Sequence, residues 1–369
     1  MKYVFILGNN PELSVAEIKA ILPDLKALAV NKQYLVGEAK SLDCEPVLSR
    51  LGGTIKIARI VAEKADPAEL AEVILKARGE KVGKINFGVS YYGKRIANLG
   101  MEIKGILKGK GLSCRLVVSR EPILSSVIVK KEKCLEIIVS PEWVALTEAV
   151  QDFAGYSWRD FGRPQSDALS GMLPPKLAKM MINLSSAKED GILLDPFCGS
   201  GTVMSEALAM GFKNLIGSDV SPKAVDDTQK NLNWLEEKLK IEPESLKLFL
   251  GDVKTIAEEI PAGTVDAIAT EPYLGPPMKG NEKDGTIRRN VEEVENLYVS
   301  AFEQFAKILK PKAMIVMVFP EWHIGDKIFY LHLDDAVKAI GFERLDDNSL
   351  IYKRENQKVW RRITIWRKK

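Results

Sequence analysis

The run Leu193-Leu194-Asp195-Pro196-Phe197-Cys198-Gly199-Ser200-Gly201-Thr202 places an acid at the end of an apolar stretch, followed by a turn of small residues and a helix start. Gly199 and Gly201 let the backbone take positive φ and approach a ligand closely. The helix opening at Thr202 presents unpaired N–H groups to the same place. The dinucleotide GxGxxG pattern is not met, because its third glycine is absent and Asp195-Pro196-Phe197 precedes the turn. Two more acids follow at the ends of apolar stretches: Asp219, next to Val220, and Asp252, next to Val253. Asp219 lies close to the roughly 20-residue spacing at which an acid meets ribose hydroxyls in nucleotide-binding α/β folds. Asp252 can accept a hydrogen bond from an adenine amino group. A lone acid at a strand end is commonly a helix cap. Three at successive strand ends mark the place where an open sheet would hold an adenosyl ligand.

A fourth segment, Ala269-Thr270-Glu271-Pro272-Tyr273-Leu274, carries an acid, a proline and an aromatic. These suit methyl transfer to an amine conjugated with a base, whose lone pair is withdrawn into the ring. Acceptance of its N–H groups by Glu271 and by a rigid carbonyl beside Pro272 would return electron density to nitrogen, and Tyr273 could stack on the base for ~1–3 kcal/mol. A sulfonium methyl needs no further activation, so in-line positioning supplies most of the catalysis. S-adenosylmethionine is the cofactor this predicts. His323 and His332 are the only histidines, lie late in the chain and read as structural. No Ser-His-Asp grouping, Walker lysine or metal-ligand cluster is visible, so no metal is expected.

These segments need a scaffold. The second half alternates strand, turn and helix: helix 175–184, strand 192–194, helix 202–211, strand 214–218, helix 222–238, strands 246–250 and 265–270, helix 291–309 and strand 313–319. A helix at 332–340 and an antiparallel pair at 350–354 and 364–366 complete it. Such alternation predicts a mainly parallel sheet covered on both faces, an α/β class I arrangement. The polar, glycine-containing stretch 278–289 reads as a loop able to close over a bound base. The first half reads as α+β, with strands at 2–7, 54–61, 85–92, 115–119, 126–129 and 135–139 and helices at 13–22, 67–77 and 98–108. The Gly/Pro/Ser/Asp-rich stretch 151–174 reads as a linker.

The chain carries 53 Lys+Arg against 50 Asp+Glu, a net charge of +3. Residues 1–150 hold 23 basic and 17 acidic residues (23 − 17 = +6), leaving 30 and 33 (−3) for the rest. A basic first half suits a polyanionic partner. Basic residues interleave with aromatics at Tyr91-Tyr92-Gly93-Lys94-Arg95, continuing through Lys104, Lys108, Lys110, Arg115 and Arg120. A second cluster runs through Lys353, Arg354, Lys358, Trp360, Arg361, Arg362 and Trp366 to Lys369. Either could meet RNA, or form a solvated face. Four scattered cysteines without a CxxC pair indicate neither a disulfide framework nor a zinc cage. No apolar run is long enough to span a bilayer, and the cytoplasm is the expected location.

The series DPFCGSGT, GSD, GD and TEPY resembles the amino-methyltransferases of class I Rossmann-like fold, and among them the THUMP-containing tRNA guanosine-N2 methyltransferases. The resemblance implies a ferredoxin-like domain at 1–62, a THUMP-like RNA-binding domain at 63–150, the linker, and a methyltransferase domain at 175–369. It implies tRNA as substrate and leaves room for a small activating protein partner. It also implies that the loop 195–201 holds the methionine moiety, Asp219 the ribose and Asp252 the adenine. Arg163-Pro164 and Met172 through Ala178 look like the segment preceding that family's cofactor strand, which helps hold the methionine end. Glu271, Pro272 and Tyr273 stand where the family has Asp-Pro-Pro-Tyr. Glutamate replaces aspartate and one proline is missing, so either Tyr273 stacks from a shifted position or Leu274 takes the aromatic's place. Gln165-Ser166-Asp167 likewise replaces the family's aromatic-His segment. A DNA adenine-N6 or cytosine-N4 methyltransferase, and an RNA-binding protein with weak catalysis, are the alternative readings.

Overall fold

The computed structural model describes residues 1–80, 82–166, 172–278, 280, 282–347, 349–353 and 357–369. Asp167 and Arg354, singled out above, and residues 279 and 281 of the stretch 278–289 lie outside them. The chain divides into two compact units, 1–11 with 22–154, and 12–21 with 155–369.

The first unit is built on an eight-stranded sheet. Its strands are β1 (Lys2–Leu7), β2 (Lys26–Val30), β3 (Tyr34–Glu38), β4 (Thr54–Ala62), β5 (Ile85–Tyr91), β6 (Cys114–Val117), β7 (Leu135–Val139) and β8 (Val144–Val150), in the order β2-β3-β1-β4-β8-β7-β5-β6. The pairing of β4 with β8 makes one continuous sheet of the regions 1–62 and 63–150. Helices α3 (Pro67–Arg78) and α4 (Leu99–Gly109) share an apolar core with the sheet, where Leu70, Ile74 and Ile103 meet Phe87 and Ile137. Helix α1 (Pro11–Ile21) falls largely with the second unit, and α2 (Cys44–Arg50) precedes β4. Residues 126–129, expected as a strand, lie in helix α5 (Ser126–Lys131). The β-branched Val-Ile-Val suggested extension, but Ser125 caps the helix by accepting from the Ile128 amide (3.3 Å), and the cap prevails. Strand β8, after the strand expected to close this half, and α6 (Phe153–Phe161), inside the expected linker, were not anticipated.

The second unit continues with α7 (Pro175–Leu184), β9 (Ile192–Asp195), α8 (Thr202–Ala209), β10 (Asn214–Asp219), α9 (Pro222–Leu239), β11 (Ser245–Leu250) and β12 (Val265–Thr270). Then follow α10 (Asp284–Ile308), β13 (Leu309–Ile324), β14 (Lys327–Tyr330), α11 (Asp334–Ile340), β15 (Phe342–Arg344), β16 (Ile351–Tyr352) and β17 (Val359–Lys368). Its nine-stranded sheet runs β11-β10-β9-β12-β13-β17-β15, with β14 beside β13 and β16 beside β17. Strands β9 to β13 pair in parallel and β17 runs antiparallel to β13. From β9 the chain steps outward to β10 and β11, then returns to the other side of β9 as β12. Strand order therefore reverses at β9, and open α/β sheets hold ligands in the crevice at the carboxyl ends of such strands. Helix α10 begins at Asp284, seven residues before 291, so half of the expected loop 278–289 is helix. Lys327 pairs with Asp284 at its start.

Candidate active site

The four acids stand at or just beyond the carboxyl ends of four strands: Asp195 on β9, Asp219 on β10, Asp252 beyond β11 and Glu271 beyond β12. Together they line one cleft of about 920 Å³, also bordered by Pro196, Phe197, Gly199, Thr202, Val220, Val253, Pro272 and Tyr273. Gly201 stands behind the loop. Its φ is +80°, and a Cβ there would approach Thr228 Cγ2 to 2.8 Å, so this glycine serves packing.

Hydrogen bonds fix the loop between β9 and α8. The Asp219 carboxylate accepts from the Gly199 amide (3.0 Å) and the Ser221 amide (2.9 Å), tying two strand ends together. Thr228 Oγ1 donates to Gly199 O (2.8 Å), and Asn231 Nδ2 donates to Ser200 O (2.8 Å). Gly199 takes φ +53° with open space where a Cβ would be. A ligand can approach its backbone closely. Arg163 Nη1 donates to Thr202 Oγ1 (2.7 Å) at the start of α8. Asp195 is buried, accepts from Thr270 Oγ1 (2.6 Å) and the Phe197 amide (3.3 Å), and burial pushes its carboxyl up to about 7. Those two hydrogen bonds pull the other way, while the charges of Asp219 and Glu271 add to the rise. Asp252 caps the following 3₁₀ turn by accepting from the Lys254 amide (2.9 Å). Burial also pushes the Cys198 thiol up, which keeps it neutral within the loop.

This geometry fits an adenosyl cofactor. A glycine turn lies open at Gly199 beside a helix start, and two further carboxylates border the same crevice. Among the described residues no group of three or more His, Cys, Asp or Glu side chains is placed to hold a metal ion.

The Glu271-Pro272-Tyr273 turn is rigid. Pro272 is buried, and the hydroxyl of the buried Tyr298 donates to Tyr273 O (3.0 Å). Leu274 packs against the apolar core, whereas Tyr273 keeps 46% of its surface exposed at the cleft. Both side chains line the cleft, and Tyr273, the aromatic one, is the more exposed of the two.

Glu271 has a partner that sequence reasoning assigned elsewhere. Arg361, on β17, pairs with it through Nε to Oε1, and its Nη2 lies 3.5 Å from Oε2. Burial raises the Glu271 carboxyl above its ordinary value, and the guanidinium offsets part of that rise. Arg361 belongs to the basic-aromatic cluster at 353–369, which is internal only in part, since Lys353, Lys358, Arg367 and Lys369 are exposed. Arg361 is 6% exposed, Trp366 is buried, Arg362 pairs with Glu321 (2.5 Å), and Lys368 Nζ donates to Ala306 O (2.6 Å) and Leu309 O (2.7 Å). Trp360 stacks on His323 with ring centroids 3.6 Å apart, and Lys353 covers Trp360. A signal for Arg361 existed in the alternation of β17, where it shares a face with the core residue Ile363. In the other cluster, Tyr91 and Tyr92 are buried, and Lys110 and Arg115 pair with Glu72 and Glu132.

Residues 163–329 match the family described as RMKL-like, methyltransferase domain. The tRNA (guanine(10)-N2)-dimethyltransferase of Pyrococcus abyssi is 27% identical over 334 residues, 87% of this chain and 88% of that protein. The "Probable tRNA (guanine(10)-N2)-dimethyltransferase" of Methanothermococcus thermolithotrophicus is 36% identical over 124 residues, 33% of this chain and 69% of that protein. The chain belongs to the THUMP-containing tRNA guanine-N2 methyltransferase family. TrmN from Thermus thermophilus shares the fold of these methyltransferases with this chain, at TM-score 0.56 and 14% identity, with both chains fully covered.

Proposed function

We propose that this protein transfers a methyl group from S-adenosylmethionine to the exocyclic N2 of a guanosine in tRNA, at position 10 as in the names of its relatives. The observation that carries the proposal is the convergence of Asp195, Asp219, Asp252 and Glu271 on one cleft at the reversal of strand order. In this reading the loop 195–201 with Thr202 holds the methionine moiety. Asp219 and Val220 meet the ribose, and Asp252 and Val253 meet the adenine. Bound there, the cofactor supplies an electrophilic methyl on a sulfonium centre. Glu271 and the carbonyl beside Pro272 accept the N–H groups of the target amine and return electron density to its nitrogen. Tyr273 stacks on the base and holds it in line. The amine gains the methyl and releases one proton to solvent at the cleft mouth.

We assign 1–62 and 63–150 to binding the tRNA, in keeping with the +6 charge balance of residues 1–150, and 175–369 to the chemistry. A cytoplasmic location accords with this substrate. Among the described residues no helix is long and apolar enough to cross a membrane. The test incubates the purified chain with tritiated-methyl S-adenosylmethionine and unmodified tRNA transcript, followed by mass spectrometry of the nucleosides. N2-methylated guanosine is the expected product, with duplex DNA unlabelled. Label in adenosine or cytidine would refute the assignment of the base. Transfer that appears only with cell extract would point to an activating protein partner.

A further inference from the structure

At the strand ends of the cleft, Glu271 is paired with a basic side chain, Arg361, carried on another strand of the same sheet. We propose that Arg361 is a positioning residue that keeps Glu271 an ionised, acceptor-only carboxylate, and that this charge state selects a base whose reacting amine stands beside a second N–H donor. The inference rests on the methyl transfer proposed above and names what that site distinguishes.

The geometry sets the orientation. Arg361 reaches Oε1 through Nε and lies 3.5 Å from Oε2, so the guanidinium fork addresses one side of the carboxylate. A carboxylate has about four lone-pair sites on its two oxygens, so acceptor capacity remains toward the cleft that Glu271 lines. The Glu271 charge in turn raises Asp195 at the end of β9 and the buried Tyr298 hydroxyl of α10, and neither of these supplies a positive charge to Glu271. Lys358 also borders the cleft. Arg361 is the group that opposes the effect of burial.

The chemistry of the bases does the rest. Guanine presents N2–H and N1–H side by side, two donors that a carboxylate accepts together. Adenine presents N6–H beside the N1 lone pair, and cytosine N4–H beside N3. Against either of these an ionised carboxylate meets one donor and one repelling acceptor. A protonated acid or an amide, with one donor and one acceptor, suits those bases instead. A site built for one donor pattern rejects the other strongly, because its buried polar groups are then left unpaired.

The test uses the full-length protein labelled with carboxyl-¹³C glutamate, with the Glu271 resonance assigned by its loss in Glu271→Gln. Arg361→Met is expected to move the Glu271 titration midpoint to higher pH and Arg361→Lys to leave it near wild type. An unchanged midpoint in Arg361→Met overturns the clamp, and Arg361→Lys carries the test if the methionine variant fails to fold. With tRNA, Arg361→Met is expected to lose about tenfold or more of kcat/KM at neutral pH, recovering at higher pH, while cofactor affinity holds. A uniform loss at every pH would show a merely structural role. Glu271→Gln is expected to shift the ratio of guanosine to adenosine methylation, on transcripts differing at the target base, by roughly tenfold toward adenosine. An unchanged ratio overturns the selection. Should the wild type methylate adenosine or cytidine, the proposed function fails, while the ¹³C titration still decides the clamp on its own.

Discussion

The pair Lys56–Glu136 of the first unit and the pair Arg361–Glu271 of the second each bury a carboxylate against a cation, and the two are finished differently. In the first unit Lys56 and Glu136 are 2% and 0% exposed. Glu136 accepts from Lys56 Nζ (2.6 Å), Ser90 Oγ (2.5 Å) and Thr147 Oγ1 (2.7 Å), and Lys56 donates again to Leu124 O (2.6 Å). Donors from β4, β5 and β8 thus close on one acid of β7, and little acceptor capacity remains for a ligand. In the second unit Glu271 is 14% exposed, meets Arg361 on one side and faces a cleft on the other. A buried pair whose acceptors are all taken is architecture. One that keeps acceptor capacity directed at a crevice is poised to act on something else.

Lys56→Met should give the largest effect, a loss of about 3–5 kcal/mol of stability in denaturant, because Glu136 is left buried without its cation. The double change Lys56→Met with Glu136→Leu should recover most of that loss. Failure of the second change to recover it would show that the pair does more than balance charge within the sheet. Glu271→Ala should lower the methyl-transfer rate by about 10²–10³-fold, with cofactor affinity within about twofold of wild type in calorimetry. A matching fall in cofactor affinity would erase the distinction between the two acids. Asp219→Ala should weaken cofactor binding by about tenfold to a hundredfold, since it removes charged acceptors for the loop and for the proposed ribose contact.

The smallest expected effect is a pH dependence at Asp195. Its carboxyl, pushed up to about 7 by burial, holds its proton more tightly when folded than when unfolded. Stability of the unliganded protein should therefore fall as pH rises from the ordinary carboxylate range to about 7, and level off above it. Binding of a cationic cofactor favours the ionised acid, so affinity should rise between pH 6 and pH 8 by up to about tenfold. Asp195→Asn should flatten both curves, and a variant that keeps the wild-type slope would assign the titration to another group.

The placement of the acids at the strand ends was largely legible in the sequence. Asp195, Asp219, Asp252 and Glu271 each close an apolar run, and parallel strands bring such positions to one edge. The alternation from 175 onward carried the second sheet for the same reason, since strands buried on both faces read as continuous apolar stretches. The missing pieces depend on contacts distant in sequence. Arg361 lies 90 residues from Glu271 and among other basic residues, so composition pointed to a solvated or RNA-facing surface. The β-branched run in α5 favoured extension until the Ser125 cap is counted. Strand β8 is recognisable chiefly through its pairing with β4 and β7, which joins into one sheet what reads as two segments.

The arrival of Arg361 on β17 also bears on how this half of the molecule assembles. β17 inserts between β13 and β15, the last place filled in the sheet order, long after the strands bearing the four acids have been made. Without β17 the Glu271 carboxylate would be buried without its counter-charge, a state that burial disfavours, so the strand that fills this place in the sheet also brings the cation to the pocket.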